Sequence, residues 1–169
     1  MTITSVAHTG VCVPDLEAAV AWYRDMLGMT VLSPPYLMSG EAIQRDMGEL
    51  VPGLALKAAI VGFDRSDHVL ELIEYPGVQP SDSSRLLTDR GISHVGLVCD
   101  DIAATRSELE HKGVRFLTRG LAGIAGLKTT WFEDPYGTVF ILMEKGDNSR
   151  PYWRQPPGQA LSSGPGPGH

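Results

Sequence analysis

At 169 residues, with 43% hydrophobic and 20% charged side chains, the chain can bury one substantial core and has the balance of a globular protein. A net charge of −6 with no cluster of Lys or Arg disfavours nucleic acid and anionic membrane as partners. No apolar run approaches the roughly 20 residues that span a bilayer. MTITSVAHTG lacks the basic-then-apolar pattern of a secretory leader, so a cytoplasmic protein is expected.

The first apolar strand is expected at His8-Thr-Gly-Val-Cys-Val, and Asp15 is placed to cap the helix that follows it. In LEAAVAWYRDMLG, residues Leu16, Ala19, Val20, Tyr23 and Leu27 fall near one face, and Gly28 supplies the stop. A β-rich stretch comes next: MTVLSPPYL, LALKAAIVGF and HVLELIEYP. The pattern then returns. His94-Val-Gly-Leu-Val-Cys is a second apolar strand, and Asp100 or Asp101 caps IAATRSELEHKG. There Ile102, Thr105 and Leu109 share a face and Gly113 ends the helix. VRFLTRG, LKTTWFEDP and TVFILMEK complete the second set of strands. Residues 147–169 are rich in Pro, Gly and Ser and read as a tail, with Pro151, Tyr152, Trp153 and Arg154 as its anchor on an apolar patch.

Cys12 and Cys99 show neither metal spacing nor a disulfide framework, and each sits in an apolar strand where free Cys is usually buried. The body is therefore a repeat. Two βαβββ modules, about 5–77 and 91–146, make one α+β domain over 1–146, and their eight strands are expected to form a cup-shaped mixed sheet. The offset between the two histidines is 94 − 8 = 86, whereas aligning VLELIE with VFILME pairs Glu71 with Ile141 at an offset of 141 − 71 = 70. The first module is longer by the difference, 86 − 70 = 16. The surplus is assigned to YLMSGEAIQRDMGELVPG between Tyr36 and Gly53, as a binding loop or as a solvent-exposed insertion.

HTGVCVPDLEAAVAWYRDMLGM, HVLELIEY, GISHVGLVCDDI and FEDPYGTVFILMEK, in this order, resemble the vicinal oxygen chelate superfamily. That superfamily includes glyoxalase I, methylmalonyl-CoA epimerase, fosfomycin-resistance proteins, extradiol dioxygenases and bleomycin-binding proteins. The resemblance covers about residues 5 to 146. It implies metal ligands on the first and last strand of each module: His8 and His94 on the first strands, and Glu71 on the last strand of module one. The fourth position falls on Ile141, a departure from the glyoxalase pattern. Glu144 and Glu74 lie three residues from Ile141 and Glu71, so strand alternation turns both to the other face.

Two imidazoles and one carboxylate suit one divalent ion, Fe, Mn, Co, Ni or Zn, and leave positions open for a bidentate substrate. Glu71 interrupts an apolar row of Val69, Ile73 and Tyr75, and an ionised Glu there is costly unless paired or metal-bound. The plain alternative is a metal-free pocket with Glu71 hydrogen-bonded to a histidine or a ligand. His68, His111 and His169 carry no functional expectation.

The resemblance implies a metal-dependent isomerase, epimerase or lyase that stabilises an enolate of a small oxygenated substrate. Glu71 is the first candidate for the base, with Tyr75 and Glu41 behind it. A non-haem iron oxygenase is the second reading, although extradiol enzymes take their carboxylate where this chain has Ile141. A metal-free drug-binding or resistance protein is the third. Candidates for lining the substrate pocket are Tyr36, Gln44, Arg45, Lys128, Thr130 and Trp131, with Arg45 and Lys128 suited to a carboxylate or phosphate. The plain alternative leaves Arg45 solvated and divides Trp131 and Phe132 between outer face and core. A homodimer is expected, as in relatives.

Overall fold

The structure is a computed structural model and describes residues 5–51, 53, 55–64, 68–78 and 86–155. The Pro/Gly-rich stretch 156–169 lies outside the described residues. The chain divides into two compact units, Met1–Ser83 and Ser84–His169. Among the described residues no helix is long and apolar enough to cross a membrane.

In the first unit, β1 (His8–Cys12) leads into α1 (Leu16–Leu27), then β2 (Thr30–Met38), α2 (Glu41–Met47), β3 (Leu56–Gly62) and β4 (Val69–Glu74). The sheet order is β1-β4-β3-β2, with β1 parallel to β4 and the other pairs antiparallel. Asp15 caps α1 by accepting the Ala18 N–H, and Gly28 ends it in the left-handed region at φ 68°, where a side chain would be strained. Leu16, Ala19, Val20 and Tyr23 are buried on α1; Ala59, Val61, Leu70 and Leu72 are buried on one sheet face. Val11 and Leu72 are register partners on that face, so the strands bury every second side chain there. Pro34 and Pro35 are tolerated because β2 is the edge strand, and its register shifts between Val31 and Ser33 and between Ser33 and Tyr36.

The second unit repeats the plan with β5 (Val95–Cys99), α3 (Ile102–His111), β6 (Arg115–Phe116), β7 (Ala122–Ile124), β8 (Leu127–Glu133) and β9 (Val139–Lys145). Its order is β5-β9-β8-β6, β5 runs parallel to β9, and β7 also pairs with β8. The described residues therefore hold nine strands in sheets of four and five, not eight. The extra one arises because VRFLTRG leaves the ladder after Leu117, whose N–H donates to the Trp131 carbonyl at 2.7 Å. The Arg106 guanidinium takes up the carbonyls of Thr118 at 2.8 Å and Gly120 at 3.1 Å, so the chain rejoins β8 only at β7. Phe132 stacks on Phe140 at 5.1 Å in the core beneath. Asp134, 2% exposed, accepts the N–H groups of Tyr136 and Thr138 and so fixes the DPYG turn into β9.

Two expectations are corrected. Cys12 is exposed and Cys99 only half-buried, because Cys12 pairs in register with Ile73 on the sheet face turned away from α1. Tyr152 and Trp153, expected to anchor the tail, are exposed on a single 3₁₀ turn, Tyr152–Arg154, and meet each other edge-to-face at 5.2 Å. The start of the tail is held instead by Gln155, which accepts the Asp147 N–H at 2.7 Å and donates to the Asp147 carbonyl at 2.9 Å.

Candidate functional site

Each sheet has one face covered by its long helix and one turned away from it. In the first unit the second face carries His8, Gly10 and Cys12 from β1, and Val69, Glu71 and Ile73 from β4, with Tyr75 just beyond. Glu71 lies between Gly10 on one neighbouring strand and Ile60 on the other. Its Oε2 sits 3.2 Å from Nε2 of His8. Glu71 is 19% exposed and His8 49%. The parallel pairing of β1 with β4 is what joins these two side chains from opposite ends of the module.

An imidazole nitrogen and a carboxylate oxygen 3.2 Å apart fit two ligands of one divalent ion, each about 2.1 Å from it. The donor set therefore suits the expected metal as far as these two residues go. His94 belongs to the second unit, just before β5. Its Nδ1 is 2.7 Å from Ser93 Oγ, and its ring meets Trp131 edge-on at 4.9 Å and 73°. Ile141 faces Gly96 on β5 and Trp131 on β8, in the register that Glu71 holds against Gly10 and Ile60. The second module thus has an apolar side chain where the first has its carboxylate.

Tyr75 is partly buried. Desolvation, then the neighbouring Cys12 and Glu71, push its phenol above the ordinary tyrosine value, so at neutral pH it is protonated and able to donate a hydrogen bond. Cys12 is also pushed up, by desolvation. Tyr36 faces Ala58 on the same side of the sheet and is 40% exposed. The inserted segment is a helix, not a loop: α2 buries Ile43 against Leu56 and Ala58, with Met38, Met47, Val51, Ile73 and Tyr75 packed around them. Arg45 and Glu41 lie on α2, exposed and paired with each other, and Gln44 is on the same helix.

Lys128 and Thr130 face the helix side, away from Trp131. Lys128 Nζ is 2.6 Å from Glu144 Oε1, and Thr130 is buried and bonded to Arg106 at 2.6 Å. Lys128 belongs to a construction that appears twice and that sequence reasoning missed. Glu144 accepts the N–H of Ile102 at 2.8 Å at the start of α3; Glu74 accepts the N–H of Leu16 at 2.9 Å at the start of α1. Each glutamate also holds a cross-strand lysine, Lys128 or Lys57. The Ile102 N–H first, then Lys128, hold the Glu144 carboxyl below its ordinary value. The signal lies in the offset: 144 − 74 is the same 70 that separates Ile141 from Glu71.

Asp15, Glu17 and Glu74 form the one group of three or more potential ligands whose atoms come within 4.8 Å of one another among the described residues. Their oxygens are already used on α1 N–H groups and on Lys57, which makes the group a helix cap.

Residues 5–142 match the family model of the Glyoxalase/Bleomycin resistance protein/Dioxygenase superfamily. The uncharacterized protein YwbC of Bacillus subtilis is 26% identical over 134 residues, covering 78% of this chain and 90% of YwbC. A glyoxalase family protein from Bacillus cereus superposes with a TM-score of 0.73 at 15% identity, over 85% of this chain and 95% of that one. The trypanothione-dependent glyoxalase I of Leishmania major gives 0.60 at 19% identity, over 85% and 88%. TnmS3, an antibiotic-binding protein from Streptomyces sp. CB03234, gives 0.58 at 23% identity, over 86% and 98%. These structural likenesses carry the fold.

Proposed function

Since the chain belongs to the Glyoxalase/Bleomycin resistance protein/Dioxygenase superfamily, we propose that it is a metal-dependent isomerase, epimerase or lyase acting on a small oxygenated metabolite, its ion held by His8 and Glu71. The observation that carries this reading is the His8–Glu71 pair, a carboxylate placed in an otherwise apolar row within 3.2 Å of an imidazole. When bound, a divalent ion supplies Lewis-acid polarisation of two neighbouring substrate oxygens and so acidifies the C–H beside them. Glu71 is the base nearest that position and can take and return the proton through its second oxygen. Tyr75, on the same row and protonated, donates a hydrogen bond to a substrate oxygen. The active assembly is a homodimer in this reading, checked by sedimentation.

The test is elemental analysis of protein purified without chelator or affinity tag, alongside Glu71→Ala. About one divalent ion per chain is expected in the parent and none in the variant. The ion pair contributes only about 0–1 kcal/mol, with His8 half exposed, so the variant should melt within a few degrees of the parent. Stoichiometric metal retained by Glu71→Ala would remove the assignment.

A second reading is favoured by the apolar face of the second unit, where Ile141 and Trp131 stand in place of a carboxylate site. In it the protein binds a small molecule without metal; TnmS3, of the same fold, is an antibiotic-binding protein. Ligand binding unchanged by chelator would select it. The iron oxygenase is the weaker alternative, since the carboxylate stands at Glu71 and not at Ile141; activity restored only by ferrous iron with O₂ would revive it.

A further inference from the structure

We propose that the aromatic turn Tyr152–Arg154 is a docking arm for a second copy of this chain, and that it seats there on the outer side of α2. The arm lies beyond residue 142, where the match to the family model ends, and α2 lies in the surplus of the first module. The contact is thus made by two additions to the shared repeat, and it requires no metal ion.

The arm is held in shape by its own bonds. Its root is fixed to the turn between β7 and β8: the Gly146 N–H donates to the Gly126 carbonyl at 3.1 Å, and a methyl on Gly146 would come within 2.8 Å of that oxygen. Gln155 Nε2 donates to the carbonyls of Asp147, Arg150 and Pro151. Lys145 Nζ donates to those of Asn148 and Arg150, both at 3.2 Å. Yet this frame buries neither ring. Trp153 is 69% exposed and Tyr152 45%. Trp, Tyr and Arg are the residue types that carry most of the binding energy at protein interfaces, and a preformed loop loses little entropy on docking.

Charge selects the occupant. Residues 1–83 hold eleven Asp or Glu and four Lys or Arg, a net −7, whereas residues 84–169 hold nine and ten, a net +1. The second unit of one copy therefore attracts the first unit of another, while two first units repel. Arg154, at the end of the arm, makes no ion pair among the described residues. On α2 and the turn after it, Arg45 is paired with Glu41, but Asp46 and Glu49 are exposed and carry no ion pair among the described residues. Leu50 follows them and is 77% exposed, an apolar seat for an aromatic ring. In a two-fold dimer the contact is made twice, each arm on the other copy's α2.

The experiment is sedimentation of the full chain across a concentration series, which gives the dimer Kd. Trp153→Ala should raise it by about thirtyfold or more, the loss of a central aromatic anchor. Arg154→Glu and Glu49→Arg should each raise it about tenfold, because each sets like charges face to face in both contacts. Mixed in equal amounts, these two variants should recover most of the lost affinity: one contact keeps the native pair and the other holds it reversed. The three side chains are exposed, so each variant should melt with the parent. A parent that stays monomeric, a Kd unmoved by Trp153→Ala, or a mixture no tighter than the single variants overturns the proposal.

Discussion

Ile141→Glu in a Glu71→Ala background asks whether the register that builds the candidate pair in the first module can be made to build one in the second. Ile141 faces Gly96, as Glu71 faces Gly10, and His94 precedes Gly96 by two residues, as His8 precedes Gly10. The new carboxylate should therefore come within reach of the His94 imidazole, whose Nδ1 is taken by Ser93 and whose Nε2 is the nitrogen equivalent to the one His8 presents. Ile141 is half-buried across from Trp131. Losing part of its apolar contact and partly desolvating a carboxylate costs about 2 kcal/mol without metal. For a unit of this size that is a fall of roughly 10 °C in Tm. A divalent ion at about 100 times its Kd should return about 2.7 kcal/mol. Melting curves at rising Mn(II) or Ni(II) should thus climb in the double variant and stay level in Glu71→Ala alone. A Tm indifferent to metal in the double variant would refute the alignment of the two modules as ligand positions.

Glu144→Gln should lower Tm at pH 7, because the carboxyl is ionised and its folded-state value is depressed by the Ile102 N–H and Lys128. The stabilisation is present above the ordinary value of 4.5 and is lost as pH falls through the lower folded value, so the gap to the parent should close in acid; a gap of equal size at pH 7 and pH 3 would contradict this. Arg106→Ala should cost about 3 kcal/mol in urea melts, since the 11%-exposed guanidinium serves Thr130, Thr118 and Gly120 at once and its removal leaves acceptors unpaired. Arg106→Lys should recover little, lacking the fork, and full recovery would show that charge alone suffices. Gly28→Ala should cost about 1 kcal/mol through backbone strain at φ 68°, because nothing lies within 4 Å of the added methyl; an unchanged melt would remove that account.

The repeat is readable because it is written in offsets, and the structure keeps them. Asp15 and Asp101 cap their helices at an offset of 101 − 15 = 86, and Glu71 and Ile141 take equal register at 141 − 71 = 70. What escapes the sequence depends on contacts across strands. Lys128 reads as an anion-binding residue until β8 pairs with β9 and sets it opposite Glu144. Thr130 is polar in sequence yet buried, because Arg106 reaches it from α3. The segment from Tyr36 to Gly53 reads as a loop since α2 has weak intrinsic signals, no capping side chain and a single buried residue; packing against β3 makes it a helix. Cys12 reads as buried because an apolar strand shows its alternation but not which of its faces is left open.

In both modules the first strand made is the one that closes against the last. Gly10 closes on Glu71 over a separation of 71 − 10 = 61, and Gly96 on Ile141 over 141 − 96 = 45. The longer closure costs only about 0.3 kcal/mol more. The difference between them is one of time during synthesis. His8 and Glu71 have both left the ribosome well before β9 has been made, and the chain that follows Glu74 takes roughly 5–20 s to translate. A chain arrested once its first module has emerged already carries the imidazole and the carboxylate as neighbours. In the proposed metal reading, two ligands of the cation are then in place on the nascent protein before the second module is made.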